Sequence, residues 1–405
     1  MRLWHVTLLA GVLAVVAGFL APQDVVWLDT MIWVGGDLFS QYLAYLGMPF
    51  LFFSMTVSVV YLKRRHLLMR VLLKSLIWGI ALSFGLAILG VVLVQLLPLP
   101  RLIIFFDQTV VSSSLDAKTI MMRLLPHNLL TIFTDFWFLP LFLFAMILGL
   151  NMNFDMESIE PTFNLFDSLS RIFFHIIYRT FYVIFIPIFF LLLKVVRTLR
   201  FSEAITHYHP FLWTIVGVAG GLFLIFSIAY YLLAGRRNPF GWIYGVGMTL
   251  LFTLVGSPNH ANYSLYSVQS HKNQNIKRDL AGFNVPFFLL FIRSGSALVV
   301  AMSLTLIVKS YSVLDIEFGN LVSIVLGAMV SSLFLPLSSV GSQLQESLHL
   351  AASFYPNDIS NGLRALDVIM PYLSPLASLI DMLILAFLLR VFAYQHDFIR
   401  NRSYI

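Results

Sequence analysis

Long apolar runs separated by short polar breaks organise this chain. Residues 5–21, 33–62, 67–97, 128–150, 165–196 and 211–234 each read as an apolar segment of about 20 residues or longer, the length an α-helix needs to cross a bilayer; strands of a membrane barrel would alternate over about 10. "KRRH" (Lys63 to His66), "PLP" and "GRRNP" close the second, third and sixth runs, and "NFDMESIEP" links the fourth to the fifth. The first run follows Arg2 in the manner of a signal sequence. Similar runs succeed it, so it reads as the first transmembrane helix.

The last third has a different rhythm. Residues 239–255 make a half-length apolar arm. "GSPNHANYS" (Gly256 to Ser264) interrupts it with Gly, Pro and Asn together, which no helix continues through, and a second arm runs on to "HKNQNIKRD". Two half-length arms around a polar tip predict a re-entrant hairpin over about residues 239–272. The pattern recurs over about 319–355, where "PLSSVGSQ" is the tip. Between the hairpins lies "PFFLLFIRSGSALVV", in which Arg293, Ser294, Gly295 and Ser296 interrupt an apolar run, and after them comes a segment over 363–395, predicted to break at Pro371 and Pro375. Irregular backbone at membrane depth persists only where protein or a water-filled cavity covers it. Two hairpins, each followed by a broken span, make an inverted repeat, the signature of a secondary transporter with its site near the midplane. The fold class predicted is an all-α polytopic membrane protein, one domain over 1–405, with eight transmembrane helices and two re-entrant hairpins.

Composition agrees. The chain is 59% hydrophobic and 11% charged, against about 25% charged in soluble domains. With no cysteine, disulfides and thiolate metal sites are excluded. The net charge of +6 is a topology signal and not a nucleic-acid one. With the N-terminus in the cytoplasm, Arg2, Lys63, Arg64, Arg65, Arg236, Arg237, Lys272, Lys277, Arg278, Arg400 and Arg402 all fall inside and Asp315 and Glu317 outside. That predicts a multi-pass protein of the cytoplasmic membrane with both termini in the cytoplasm. Lys194, Arg197 and Arg200 dissent by falling outside. No phosphate-binding loop, His-rich metal spacing or nucleophile elbow is present, so no enzyme and no cofactor is expected.

"GDLFSQYLAYLGMPFLFFS" (Gly36 to Ser54) resembles the second-helix motif of the dicarboxylate/amino acid:cation symporters, the glutamate transporter family. "LPHN" (Leu125 to Asn128) and "LPLFLFAMILG" (Leu139 to Gly149) are similar to its fourth helix, and the later order of two helices, hairpin, broken helix, hairpin, broken helix is also that family's. The resemblance implies an elevator-type homotrimeric symporter. Residues 1–62 and 127–200 would form the static scaffold, residues 63–97 and 207–395 the moving transport part, and the second hairpin the lid. It implies a dicarboxylate, glutamate or aspartate as the substrate class, and Na+ or H+ as the coupling ion.

The chain departs from that family where the chemistry lies. The family's Asn-Met-Asp-Gly-Thr in the broken seventh helix is here Ile292, Arg293, Ser294, Gly295, Ser296, and the serine-rich first tip is "GSPNHAN". Asp367 and Asp381 stand in the eighth-helix stretch with no arginine or asparagine between them. An ionisable residue at membrane depth marks a functional site by default. Arg293 either holds a substrate carboxylate by a forked hydrogen bond or pairs with Asp381 or Asp367 inside the bundle. Further candidates for the pocket are Ser294, Ser296, Ser257, Asn259, Asn262, Ser338, Ser339, Ser342, Ser374 and Ser378; Asp381 and Asp367 are candidates for ion coupling. His260 sits at the first tip, either as a titratable group or, as with most lone histidines, without such a role, and Asp37 is expected to cap the second span.

Three functions follow. The leading one is a secondary active transporter of a small organic anion or amino acid. The second keeps the fold without coupling, as a uniporter, exchanger or anion channel. The third is a non-transporting scaffold subunit.

Overall fold

The computed structural model describes residues 2–22, 25–102, 128–134, 137–154, 156–201, 207–233, 238, 240–256, 259–311, 316–334, 343–356 and 359–399. Among them every regular element is helical. The one β contact is an isolated antiparallel bridge between Ile276 and Ile399.

The first layer consists of α1 (Arg2–Leu20), α2 (Val26–Arg64, with a π-helical turn at Trp33–Asp37), α4 (Leu129–Thr134), α5 (Phe138–Asn151), α6 (Met156–Thr180) and α7 (Phe185–Phe201). Here α1 packs on α7, and α2 packs on α5 and α6. The second layer contains α3 (Leu68–Leu96) and α8 (His209–Leu233). The segment expected to form the first hairpin holds α9 (Gly241–Tyr244), α10 (Gly247–Leu254) and α11 (Asn259–Asn273). Then come α12 (Arg278–Phe291), α13 (Ser294–Tyr311), α14 (Phe318–Phe334), α15 (Gln343–Ala352), α16 (Ser360–Asp367) and α17 (Met370–Gln395). In this layer α13 is the centre, with α3, α14 and α17 around it. The layers meet where α11 and α12 lie against α2. There Tyr263 and Ser54 share a 2.8 Å hydrogen bond, Ser264 Oγ donates to the Leu43 carbonyl at 3.1 Å, and Arg278 reaches Asp167 at 3.0 Å.

Among the described residues, five segments are long and apolar enough to cross a membrane: Val26–Arg64, Leu68–Leu96, His209–Leu233, Arg278–Ser310 and Met370–Gln395. The pair Glu157–Thr180 and Phe185–Arg200, bent by 61°, brings the number to six if it is counted as one span. The chain is a multi-pass membrane protein. α3 shows how its helices come close. Ser75, Gly79, Ser83, Ala87 and Gly90 are all buried and recur every three or four residues, a small-residue stripe of the kind that lets membrane helices approach at backbone distance. A Cβ at Gly90 would lie 2.8 Å from the Leu298 carbonyl oxygen on α13.

Four expectations need correction. Residues 165–196 are not one helix: α6 ends at Thr180 and α7 begins at Phe185. Residues 128–150 likewise divide into α4 and α5. In both cases a proline (Pro187, Pro140) is third in the second helix, where its missing N–H has no partner to lose and its ring obstructs a continuous helix from upstream. The last segment breaks once, between Asp367 and Met370; Pro371 opens α17 and Pro375 sits inside it. Asp37 does not cap a helix end. It lies within α2 and pairs with Lys194 Nζ at 2.8 Å. That pair, with Arg197 on Asp29 at 2.5 Å and Arg200 donating to the Phe19 carbonyl, gives each dissenting cation a partner: Lys194 and Arg197 are held by carboxylates of α2, and Arg200 by the end of α1.

Candidate functional site

The chain leaves helical geometry at Ile292, whose φ and ψ are −110° and 75°, and re-enters it at Ser294. The Ile292 N–H still donates back to the Phe288 carbonyl, and the Arg293 carbonyl accepts from Ala297, so the break spans a single peptide step. It exposes the first-turn N–H groups of α13, which no residue of their own helix can satisfy.

Asp381, from the middle of α17, satisfies them. Its Oδ1 accepts from the backbone N–H of Gly295 at 2.6 Å and of Ser296 at 3.2 Å; its Oδ2 accepts from Ser296 Oγ at 2.6 Å. Arg293 Nη1 lies 3.6 Å from the same Oδ2. At that distance the pair is held by charge and not by a directional hydrogen bond. The guanidinium spends its directional bond elsewhere, donating through Nη2 to Gln343 Oε1 at 2.9 Å. Gln343 opens α15. Arg293 Nε has no acceptor among the described residues. Ser294 Oγ shares a 3.0 Å hydrogen bond with Ser83 Oγ on α3.

Arg293 is 4% exposed and Asp381 3%. Burying either charge alone costs several kcal/mol, and a buried pair recovers that cost only when its remaining donors and acceptors are satisfied. The carboxylate meets that condition. The guanidinium, whose Nε has no acceptor among the described residues, does not.

The structure therefore brings together Arg293, Ser294, Ser296 and Asp381. It adds three groups that were not among the expected ones: Ser83, Gln343 and the Gly295 N–H. The small-residue stripe on α3 was the signal for Ser83. Asp367 stands apart, exposed at the end of α16, where it accepts from Gln345 Nε2 at 3.0 Å. Of the two carboxylates proposed as partners of Arg293, Asp381 is the one it meets. Ser374 and Ser378 are half-buried on α17, Ser378 within one turn of Asp381. The chain just after α10 approaches the same helix: Gly256 adopts φ +86°, and a Cβ there would lie 3.5 Å from Pro375 Cγ. Asn262 is buried in α11. Ser257, Ser338, Ser339 and Ser342 lie outside the described residues, as do the side chains of Asn259 and His260.

The assembled site is a neutral, buried cation–carboxylate pair at a helix break, with the first residue of α15 bonded to its cation. It can present a forked donor to an anion in place of Gln343. Among the described residues no cluster of His, Asp and Glu suits a metal ion.

The family model for sodium:dicarboxylate symporters matches residues 3–370. The match includes Arg293 and stops at the first residue of α17, short of Asp381. No curated protein matches the chain.

Proposed function

The chain belongs to the sodium:dicarboxylate symporter family, and on that premise we propose that it is a secondary active transporter moving a small organic anion or acidic amino acid, of the dicarboxylate, glutamate or aspartate class, across the cytoplasmic membrane, coupled to Na+ or H+. The observation that carries this reading is Arg293: a buried guanidinium at the break of a membrane-spanning segment, with an uncommitted donor and a replaceable partner on a hairpin arm. A substrate carboxylate that takes the place of Gln343 gains charge-assisted hydrogen bonds of the strong, forked kind. It also releases α15, which makes the second hairpin the lid. Ser294, Ser296, Ser374, Ser378 and Asn262, and the tip residues Ser257, Asn259, Ser338, Ser339 and Ser342, complete the substrate site in this reading. Asp381 is the coupling carboxylate nearest to it, and Asp367 a second at the exposed end of α16.

Movement follows an elevator. Residues 1–62 and 127–200 stay fixed, while residues 63–97 and 207–395 slide, with eight spans and two hairpins in all. The mutual packing of α1 with α7, and of α13 with α3 and α17, supports that division. The assembly is a homotrimer, with both termini in the cytoplasm. One observation favours the uncoupled alternative: Asp381 is already neutralised within the chain.

Uptake of labelled dicarboxylates and acidic amino acids into proteoliposomes tests the proposal. Accumulation driven by an imposed sodium or proton gradient supports a coupled transporter. Equilibration that ignores both gradients identifies the uncoupled one, and no uptake of any of these compounds rejects transport of this substrate class.

A further inference from the structure

We propose that Arg293 is a tethered cation: it does for Asp381, from within the chain, what a bound sodium ion would do for a buried carboxylate, so that no sodium binds at this position. Asp381 is the one buried carboxylate among the described residues. In a sodium-coupled protein it is the natural ligand for the ion. Here its surroundings are the reverse of a cation site. A hard cation needs converging oxygen atoms. The groups converging on Asp381 are the Gly295 and Ser296 N–H groups, the Ser296 hydroxyl acting as donor, and a guanidinium.

The charges agree with the geometry. A helix N-terminus carries about half a positive charge, and the N-terminus of α13 points at Asp381. Together with Arg293 this gives about one and a half positive charges around one negative charge. An arriving sodium ion would meet a net positive environment and would first have to expel donors from a carboxylate that offers only about four lone-pair sites. The position of Arg293 in the broken step, where the backbone is free of helical geometry, is what lets its side chain turn to Asp381 Oδ2 on one side and Gln343 on the other. The consequence for coupling rests on the transporter reading above: sodium bound at Asp381 contributes nothing to the driving force.

The test compares the melting temperature of the purified full-length protein and of R293Q in equal concentrations of sodium chloride and choline chloride. Removing the guanidinium leaves an unneutralised buried carboxylate, so R293Q is expected to melt several degrees higher in sodium than in choline, while the wild type shows no such difference. Equal responses in the two proteins, both flat or both rising, or a larger response in the wild type, overturn the inference. R293Q that is recovered folded only in sodium counts as the expected result. If R293Q folds in neither salt, R293Q/D381N decides. A folded double variant leaves Arg293 as counter-charge alone, in support; an unfolded one makes Arg293 a packing residue and overturns the inference. None of these readings uses transport, so a failure of uptake in the wild type counts against the proposed function and not against the tethered cation.

Discussion

The backbone N–H of Gly295 donates a 2.6 Å hydrogen bond to Asp381 Oδ1, joining two helices across 86 residues of sequence. The contact is possible because position 295 has no side chain. A Cβ there would lie 2.6 Å from Ile380 Cβ and 2.7 Å from the Asp381 nitrogen. Neither is a flexible chain end that can swing aside. Gly295→Ala is therefore expected to push α13 off α17 and to cost about 1–3 kcal/mol, the range for overpacking a tight interior. A thermal melt in detergent reads this directly. An unchanged melting temperature would mean that the two helices are not held at backbone distance.

Asp381→Asn removes the counter-charge of a guanidinium that is 4% exposed. Breaking one side of a buried pair costs about 3–5 kcal/mol, whereas replacing both sides by neutral groups of similar size is often close to neutral. The single variant is expected to be strongly destabilised, and R293M/D381N to recover most of the loss. The double-mutant cycle supplies the coupling energy; additive losses would show that the charges do not interact.

The 2.8 Å hydrogen bond between Tyr263 and Ser54 crosses the boundary between the two layers, with both residues buried. Tyr263→Phe keeps the ring and its packing and loses the hydroxyl. A loss of about 1 kcal/mol is expected, the usual net worth of one such bond. Ligand affinity should not change, because Tyr263 does not touch the Arg293 cluster. A fall in affinity equal to that of a site variant would place Tyr263 in the site.

Lys194 and Arg197 are paired with Asp37 and Asp29 of α2 and Arg200 with the end of α1, and the orientation with cytoplasmic termini is open to a direct test. The chain contains no cysteine, so single cysteines report topology cleanly. Glu160→Cys, at the exposed start of α6, should react with a membrane-impermeant thiol reagent only from the cytoplasmic side, and Thr198→Cys, exposed near the end of α7, only from outside. Reaction of both from the same side would refute the arrangement.

Much of this architecture was legible in the sequence because bilayer thickness sets segment length and because Gly, Pro and Asn mark where helices stop. Arg293, Ser294, Ser296 and Asp381 were legible for a related reason: charge and hydroxyl groups inside apolar runs stand out. Gln343 was not, since a glutamine after a serine-rich tip looks like any polar turn and only the folded chain shows it reaching Arg293. Nor was the role of the Gly295 N–H, because backbone donors are the same at every position. The breaks at Trp137 and at residues 181–184 were missed because the polar residues beside them, Thr134 and Asp135 at the first and Arg179 and Thr180 at the second, are too few to divide a long apolar run, and Pro140 and Pro187 fall inside the helix that follows. Pro375 carried the opposite error, since a proline six residues into α17 costs one backbone hydrogen bond and leaves the helix intact.

The central claim is that Arg293 offers a forked contact to an anionic substrate. It is tested most directly by ligand-induced stabilisation of purified protein, using dicarboxylates and acidic amino acids on the wild type and on Arg293→Lys, which keeps the charge and loses the fork. The account predicts that at least one of these anions raises the wild-type melting temperature, by an amount corresponding to about 2.7 kcal/mol at one hundred times its Kd, and that Arg293→Lys loses most of that gain. Stabilisation of Arg293→Lys equal to the wild type, or of neither protein by any of these anions, would contradict it.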